Sequence, residues 1–436
     1  MDKIKHENHS KFIKNNFIAI FLIIILEGAI RKWFLPNSGT YIVFLRDLLI
    51  LNCIYYGFKN KLFQFNQNFE KFVLLWTHLI IIWTMIQFTF TELPILIFLL
   101  GLRNWVLYIW FSLLFYRIIN FEDILSIIKV IILTMIPLSV ISITQHFMPV
   151  EHFLNRLPTE GHIFQVIPGI VRTTGTFSHV YGYTSYLMLL CPLIFALMIS
   201  ELNIKFNKYI FIIIVSLFFL AVLTSGSRAT IFFTILMFLP LLYSVLRIDK
   251  SIKKILTLFL IFLICYILVD YLFLDALTAN FQRIEDANIT ENTYQRLMNT
   301  IFGSKETWAN LSLLGKGIGL GSNAAEIILD RGNIIFLLGE FESDRIINEG
   351  GVIGVLFLVI KFLSIFFLFV CIRKINKEKK PLAFIYWFYL ISHLLTSQIT
   401  GQVTSHGFTY LALSIGFVLL KDDLYKNNLN KDKITL

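Results

Sequence analysis

Charge is scarce in this sequence, and apolar residues are unusually common. Asp, Glu, Lys and Arg make up only 15% of the 436 residues, while 57% of the residues are hydrophobic. A soluble domain is usually about 25% charged and about 45–50% apolar. The composition therefore excludes an ordinary soluble globular protein, and it predicts an all-α polytopic membrane protein.

Signatures of disulfide, metal and nucleotide chemistry are also missing. The four cysteines lie in apolar runs without a CxxC pair, which predicts small buried side chains. The nine histidines show no metal-ligand spacing, and neither HExxH nor GxSxG occurs. The run GKGIGLGS at 315–322 lacks the ending of a phosphate-binding loop, so its glycines are expected to permit a tight turn or a close backbone approach. We predict no cofactor and no metal.

The excess of positive charge has a membrane interpretation. The formal net charge is +10, but Lys and Arg lie in the joints between apolar runs rather than on one soluble face. This distribution argues against nucleic-acid binding, and it is the orientation signal of a membrane protein. Lysine-rich joints alternate with lysine-poor ones, so we predict that both termini face the cytoplasm. The predicted location is the bacterial inner (cytoplasmic) membrane.

Apolar runs of about 20 residues predict about 12 transmembrane helices in a single integral membrane domain, 1–436. They lie near 17–35, 40–57, 71–90, 94–116, 122–146, 176–200, 208–224, 229–246, 255–274, 349–372, 381–397 and 404–420. The first run resembles a signal peptide, but Glu27, Arg31 and Lys32 follow it without a cleavage site. An uncleaved span is therefore expected.

Two segments on the predicted outer side are long. A first extracytoplasmic segment occupies 147–175, and a large loop at 275–348 separates helices 9 and 10. Connections of this length are often functional. Leu297, Ile301 and Trp308 have roughly helical spacing, so the large loop is predicted to be helical. No internal repeat is visible.

Charged residues far apart in sequence converge on that outer side. They are Glu27, Arg31, Lys32, Arg46, Asp47, Arg172, Arg228 and Arg345, with Gln398, Gln402 and His406 nearby and Arg103 deeper. Charged residues in or near spans usually face a bundle interior or a watery cavity. A cluster of arginines suits an anion with planar oxygens, such as a phosphate or diphosphate.

Each of these residues also has a purely structural interpretation. The run RKWFLP is typical of an interface anchor, Arg46 and Asp47 of a structural pair, and Arg228 of a helix end. His406 is typical of a buried structural histidine. These alternatives remain open.

The segment EFESDRIINEGGVIG at 340–354 has the highest density of acids beside a span. If it continues helix 10, Glu342, Arg345 and Glu349 share one stripe, and Glu340 with Asp344 another. A carboxylate here could accept a proton if burial raised its pKa toward the working pH. Arg345 between two acids is equally compatible with a structural ion pair.

Several motifs resemble the O-antigen polymerase and O-antigen ligase family of bacterial envelope enzymes. The resemblance rests on RTTGTFSHVYGYTSYLMLLCPL, LTSGSRAT, LLGKGIGLGSN with EFESDRIINEGGVIG, and EGAIRKWFLP with FLRDLLI. It spans most of the chain. It implies a GT-C-like glycosyltransferase architecture and a metal-independent, inverting transfer on the outer face of the inner membrane. The donor would be a glycan on undecaprenyl diphosphate.

The resemblance also implies residue roles. The family's arginines fall on Arg172 and Arg228, which would bind the diphosphate together with Arg345. Ligases usually place a histidine where this chain has Glu340, a departure that weakens the ligase interpretation. The candidate catalytic residues are Glu340, Glu342 and Arg345. The candidate substrate-lining residues are Arg31, Lys32, Arg46 and His406.

The function expected from these observations is polymerisation of a surface polysaccharide, such as an O-antigen, a capsule or an exopolysaccharide, by transfer of a glycan to a lipid-linked repeat unit. An O-antigen ligase acting on a lipid A core sugar is the nearest alternative. A lipid-linked oligosaccharide flippase or other transporter, and a structural membrane subunit, are alternatives from other classes. Candidate partners are the undecaprenyl-diphosphate-linked oligosaccharide, the lipid bilayer, a chain-length regulator and a flippase.

Overall fold

The computed structural model describes residues 2–35, 41–65, 68–158, 163–199, 206–249, 278, 292–329, 338–372 and 380–432. Nearly all of these residues are helical, with one short hairpin. This confirms the predicted fold class at the level of an all-α polytopic membrane protein. The predicted ninth span, 255–274, lies outside the described residues.

Within the described residues up to 249, ten α-helices have defined bounds. They are α1 (Asp2–Ala29), α2 (Tyr41–Lys59), α3 (Asn68–Phe90), α4 (Ile95–Leu102), α5 (Tyr108–Ile118), α6 (Phe121–Phe147), α7 (Val180–Ile199), α8 (Lys208–Thr224), α9 (Arg228–Leu236) and α10 (Phe238–Tyr243). Between α6 and α7 lie a 3-10 turn (Phe153–Asn155) and an antiparallel hairpin of β1 (Gln165–Ile167) and β2 (Ile170–Val171). The hairpin pairs Gln165 with Val171 and Ile167 with Ile170.

After residue 249, seven further α-helices have bounds that lie within the described ranges. They are α11 (Thr293–Phe302), α12 (Lys305–Ala309), α13 (Asn323–Ile328), α14 (Glu342–Gly350), α15 (Val352–Ile372), α16 (Lys380–Thr396) and α17 (Val403–Asp432). The described parts of the large loop, 292–329 and 338–348, are thus mostly short helices and turns. Trp308 Nε1 donates to the Phe302 carbonyl at 2.8 Å and so joins α12 to α11.

Eight helices among the described residues are long and apolar enough to cross a membrane. Their bounds are Ile4–Phe34, Asn68–Phe90, Ile95–Ile118, Phe121–Phe147, Val180–Ile199, Arg228–Leu246, Val352–Val370 and Val403–Lys421. Tyr209–Thr224 and Pro381–Thr396 are apolar but shorter, and α2 occupies the predicted second span. The total of 12 and the GT-C-like architecture stay predictions.

Helices α7 and α17 form the centre of the bundle. Of their apolar windows, 83% is buried inside the protein, against 28% for α3 and α15. The hydroxyl of Tyr386 on α16 donates to the Ala412 carbonyl on α17 at 3.0 Å. The outer helices instead expose large apolar side chains such as Leu75 and Phe366, as a lipid-facing surface requires.

The two ends of the bundle differ in chemistry. We call one the lysine end, defined by Lys14, Lys59 and Lys421. We call the other the pocket end, defined by Glu27 and Gln402. Residues 403 to 421 of α17 connect the two ends, and 18 residues of helix rise by about 27 Å, close to the thickness of a bilayer core.

Two of the spans contain a π-helical turn at or near the pocket end. Ile30–Phe34 continues α1, and Arg103–Leu107 joins α4 to α5. A π-turn inserts an extra residue into a helical turn and is frequent at functional sites. These two turns carry Arg31 and Lys32, and Arg103 and Asn104, respectively.

The acidic segment 340–350 is not an extension of the predicted tenth span, which the structure begins at Val352 as α15. Gly351 adopts a left-handed φ of +57° and separates α14 from α15. Its amide closes α14 on the Ile347 carbonyl, while Val352 N donates to the Leu313 carbonyl at 3.0 Å. A residue with positive φ is a common helix terminator. Glu340 therefore lies before α14 rather than on a helical stripe with Asp344.

Candidate functional site

An open pocket lies at the pocket end, with an empty volume of about 580 Å³ including its mouth. Its wall combines residues from six parts of the chain. They are Glu27, Arg31, Val43, Phe44, Leu100, Arg103, Ser178, His179, Asn323, Ala324, Gln402, Val403 and Thr404. Because the wall is both charged and apolar, it suits a ligand with an anionic group and a less polar body.

Two arginines from different spans enter this wall. Arg103 donates from Nε to Asp47 Oδ2 at 2.6 Å and from Nη1 to Asn104 Oδ1 at 2.7 Å. The Tyr108 hydroxyl donates to the other oxygen of Asp47 at 2.7 Å. Among the described residues, the hydrogen bonding of Arg31 consists of one long contact, 3.5 Å, from Nη1 to the Ser178 hydroxyl. Arg103 is thus fixed by its neighbours, whereas Arg31 keeps donor capacity for a ligand.

Glu27 is the carboxylate of the pocket wall. Its Oε1 accepts from Thr404 Oγ1 at 3.2 Å and from Arg46 Nη1 at 3.5 Å. Arg46 is fully buried and also donates from Nη2 to the Val403 carbonyl at 2.8 Å. Glu27 Oε2 has no hydrogen-bond partner among the described residues. One oxygen is therefore held, and the other is left for an incoming donor.

The connection 397–402 between α16 and α17, here called the hub loop, ties the surrounding elements together. Glu342 Oε1 accepts from the Thr400 amide at 2.5 Å and from the Thr400 hydroxyl at 2.8 Å. Asn323 donates from its amide to the Gly401 carbonyl at 2.9 Å and from Nδ2 to Gln402 Oε1 at 3.0 Å. The hub loop thus links α14 and α13 to the pocket wall.

Arg345 sits directly behind the hub loop. Its Nε donates to the Gly339 carbonyl at 3.1 Å and its Nη2 to the Glu340 carbonyl at 2.7 Å. A Cβ on Gly401 would lie on top of Arg345 Nη1 and 3.4 Å from Glu342 Oε2. Neither of those two atoms has a hydrogen-bond partner within the described ranges. The guanidinium is held by carbonyls, and the described residues include no ion pair to it.

Glu349 organises the glycine-rich run. Its Oε1 accepts from the Gly321 amide and its Oε2 from Trp105 Nε1 at 3.2 Å. Gly319 lies against the backbone of Ile97 and Gly101 with no room for a Cβ. The expected close backbone approach is confirmed. Burial raises the pKa of Glu349 to about 8, and neighbouring Glu342 adds to the shift against the two hydrogen bonds.

The loop that contains RTTGTF is held by polar side chains of other helices. Lys32 is buried, and its Nζ donates to Thr174 Oγ1 at 3.0 Å and to the Gly175 carbonyl at 2.6 Å. Gln145 Oε1 accepts from the Gly175 amide at 2.8 Å. Gly28 faces the backbone of this loop so closely that a Cβ would not fit. Lys32 therefore anchors the loop rather than facing the pocket.

Arg172 and the turn before Arg228 lie side by side. A Cβ on Gly226 would be 3.4 Å from Arg172 Cγ, and Arg228 is the first residue of α9, whose N-cap is Ser227. Burial and the charge of Arg172 lower the pKa of His179 to about 4, so this pocket residue is neutral near pH 7. Arg172 thus acts electrostatically on His179 of the pocket wall.

Of the nine site residues predicted from the sequence, Arg31 lines the pocket. Six lie in the shell behind the wall: Lys32, Arg46, Arg172, Glu342, Arg345 and His406. His406 is buried, with Nδ1 2.8 Å from the Ile399 carbonyl and its ring 4.5 Å from that of Tyr108. Arg228 is half-buried at the neighbouring turn. Glu340 is 54% exposed and pairs with Arg296 at 2.9 Å.

Other pocket residues received no role from the sequence. Glu27, Arg103 and Gln402 are visible there only as polar residues near spans, and that signal could have selected them. His179 lies within RTTGTFSHVYGY, seven residues after the motif arginine. Asn323 carries no local signal, since only the folded loop places it against Gln402. No group of three or more His, Cys, Asp or Glu that could hold a metal occurs in the part of the chain that the structure describes.

Comparisons with protein-family models, with curated proteins and with solved structures found no match to the chain.

Proposed function

We propose that the protein is a surface-polysaccharide polymerase, a metal-independent inverting glycosyltransferase that moves a glycan from undecaprenyl diphosphate to a lipid-linked repeat unit. The observation that carries the proposal is the pocket in which Arg31 and Arg103, from two different spans, meet Glu27 at one end of a membrane bundle. Guanidinium groups suit a diphosphate because their planar donors match its oxygens.

The orientation of the bundle is part of the proposal. Lysines and basic joints collect at the lysine end, so the positive-inside rule puts that end in the cytoplasm. The pocket end then faces outward, where lipid-linked repeats await assembly. Both termini are cytoplasmic in this arrangement, and the membrane is the bacterial inner membrane.

The reaction breaks one bond and forms one. The acceptor hydroxyl oxygen attacks sugar C1 from the face opposite the diphosphate and forms the new glycosidic bond with inversion. The bond from C1 to the diphosphate oxygen breaks, and its electron pair stays on undecaprenyl diphosphate. The hydroxyl proton passes to a carboxylate. Diphosphate is a good leaving group, so fixed cations are the main catalytic requirement.

The arginines divide this work by position. Arg31 keeps donor capacity for the diphosphate, and Arg103 adds a fixed charge held by Asp47. Arg172, in the RTTGTF loop, and Arg228, at the start of α9, lie at neighbouring turns and strengthen the positive field, while Arg345 packs against Gly401 of the hub loop. Removal of one preorganised donor typically costs about 10²–10³ in rate.

A transporter is the less favoured class. Transporters usually combine two related halves with a binding site near the bilayer midplane. The pocket here lies at one end of the bundle, and it uses a loop that has no counterpart in a second half. The asymmetry supports an enzyme that works at the membrane surface.

Deletion of the gene from the source organism tests the proposal, with gel analysis of the surface glycan. Loss of polymer with single repeat units still attached is the expected outcome. Lipid-linked polymer that stays unattached would indicate a ligase, and loss of both products would indicate a flippase. Complementation with Arg31→Ala should restore less than a tenth of the wild-type polymer at equal protein level. A normal ladder from the deletion strain would refute the proposed function.

A further inference from the structure

We propose that Glu27 is the catalytic base of the transfer, with Oε2 as the atom that takes the proton of the acceptor hydroxyl. The inference rests on the proposed glycosyl transfer and names a residue outside the motifs that the sequence analysis selected for catalysis. It places the base on the first span rather than in the acidic segment around Glu342.

Glu27 has the geometry of a held base. Its side chain is only 4% exposed, yet it contributes to the pocket wall. Thr404 and Arg46 engage Oε1 from two other helices, which fixes the orientation of the carboxylate. Oε2 has no partner among the described residues. A buried acceptor without a partner costs free energy, so its presence in a pocket calls for an incoming donor.

The other carboxylates of this end are engaged or distant from the pocket. Both oxygens of Asp47 accept hydrogen bonds, from Arg103 and from the Tyr108 hydroxyl. Both oxygens of Glu349 hold the glycine-rich run and Trp105. Glu342 has one unpartnered oxygen, but it faces Gly401 behind the hub loop.

Glu340 is unsuited for a different reason. It is more than half exposed and paired with Arg296, so solvent competes for its oxygens. Among the carboxylates described at this end, Glu27 alone combines a place in the pocket wall with an oxygen that has no partner.

The groups around Glu27 give the site a cationic part, formed by arginines, and a carboxylate part, formed by Glu27. Arg31 lies one helical turn further along the first span, and Arg103 enters the same pocket from the second π-helical turn. Arg46 from α2 is the cation in direct contact with Glu27, and His179 also lines the wall. The donor diphosphate would occupy the space beside Arg31 and Arg103, and the acceptor hydroxyl would approach Glu27 Oε2.

The proton balance follows from this arrangement. As the acceptor oxygen bonds to sugar C1, its O–H bond breaks and the proton moves to Glu27 Oε2. The electron pair of the cleaved C1–O bond remains on the diphosphate beside the arginines. Glu27 later loses the proton to water through the pocket mouth. Such a positioned base contributes about 10²–10⁴ to a rate.

The test compares three glutamine variants in membrane vesicles that contain lipid-linked repeat units. Glu27→Gln should slow polymer growth at least 100-fold, while the purified variant still binds undecaprenyl diphosphate as judged by its thermal shift. Glu342→Gln competes for the same role and should retain growth well above that of Glu27→Gln. Glu70→Gln is the matched control, since Glu70 is a buried carboxylate paired with Arg117 at the lysine end. Its growth rate should stay near wild type.

Several outcomes would overturn the proposal. Growth by Glu27→Gln within threefold of wild type would remove Glu27 from catalysis while leaving the polymerase function intact, and so would a 100-fold loss in Glu342→Gln alone. Should Glu27→Gln fail to accumulate, Glu27→Asp decides the matter through its pH–rate profile. Because the shorter Asp side chain places the carboxylate elsewhere, we expect the acidic limb of the pH–rate profile to shift relative to wild type. An acidic limb identical to that of wild type would contradict the assignment of Glu27 as the base. Absence of growth in wild-type vesicles would instead count against the polymerase itself.

Discussion

The two ends of the helix bundle differ in how completely their charged groups are partnered. At the lysine end, Lys14 pairs with Asp123 at 2.9 Å, Arg117 pairs with Glu70, and Lys421 donates to the Arg117 carbonyl at 3.0 Å. At the pocket end, Glu27 Oε2, Glu342 Oε2 and Arg345 Nη1 have no hydrogen-bond partner within the described ranges.

We interpret this difference as follows: charges at the lysine end anchor the spans, and charges at the pocket end are held in place for a ligand. Paired charges at helix ends fix the positions of spans at little cost, because each group keeps a partner. Buried groups held on one side and unpartnered on the other lower stability, and binding of a ligand is one way in which such groups gain a partner. The difference is what we expect if the lysine end anchors the spans and the pocket end carries the proposed function. Four substitutions test this comparison, from the largest expected effect to the smallest.

Replacement of Arg46 by Ala should have the largest effect. It would remove the cation that contacts the buried carboxylate of Glu27, and it would leave the Val403 carbonyl without the hydrogen bond from Arg46. Breaking a buried pair by removing one partner typically costs about 3–5 kcal/mol in the free energy of unfolding. Denaturant unfolding in detergent measures the loss. Arg117→Ala is the matched control at the lysine end and should cost less, because Arg117 is 20% exposed. Equal losses would erase the proposed difference between the ends.

Replacement of Gly401 by Ala should disrupt the hub loop. The new Cβ would lie on Arg345 Nη1, so either the loop or the guanidinium must move. Overpacking of this kind typically costs about 1–3 kcal/mol, and the displaced Gln402 would also reduce polymer growth. Gly169→Ala is the control, since a Cβ there meets nothing within 4 Å and only its φ of +88° opposes the change. A Gly401→Ala protein with wild-type stability and growth would contradict the packing described.

Replacement of Glu349 by Gln should change how stability depends on pH. The folded-state pKa of about 8 lies above the ordinary value of 4.5, so the folded protein keeps a proton that the unfolded chain has lost. Stability should then fall as the pH rises from about 5 to 8. The Gln variant lacks this proton, so its curve should be flatter and higher at pH 8 by on the order of 1 kcal/mol or more. Melting temperatures across this range provide the measurement, and parallel curves would contradict it.

Replacement of Lys14 by Ala should have the smallest effect. Its pair with Asp123 is partly exposed, with side chains 26% and 16% accessible. Such a pair contributes at most about 1 kcal/mol, and it lies far from the pocket. Polymer growth per folded protein should be unchanged, as vesicle assays can measure. A selective loss of growth would show that the lysine end also takes part in function.

The sequence predicted that charged residues would gather at one end of the bundle, but it did not predict which of them line the pocket. Arg31, Arg172, Arg228 and Arg345 were selected because charge beside a span is costly, and of these the structure places Arg31 in the pocket wall, while the charge of Arg172 acts on the wall residue His179. The expectation that 340–349 continues the tenth span was wrong, because Gly351 with its positive φ separates α14 from α15. Glu342, Arg345 and Glu349 still lie on one helix, α14, whereas Glu340 precedes it.

The pairing of side chains was also beyond the sequence. Glu27 and Thr404 are 377 positions apart, and Asn323 meets Gln402 only because two connections fold against each other. The π-helical turns that carry Arg31 and Arg103 leave no periodic signal in a run that is apolar on all sides. Backbone register inside a span therefore stayed hidden.

Composition and the spacing of apolar runs determined that this chain is a polytopic helical membrane protein, because a bilayer admits few other structures for so apolar a polymer. The distribution of lysine likewise predicted which ends of the spans lie together. Only the tertiary structure decided which of the costly charges face a shared pocket and which are satisfied behind it. Those outcomes depend on contacts a few ångströms long between residues hundreds of positions apart, and local sequence carries no record of them.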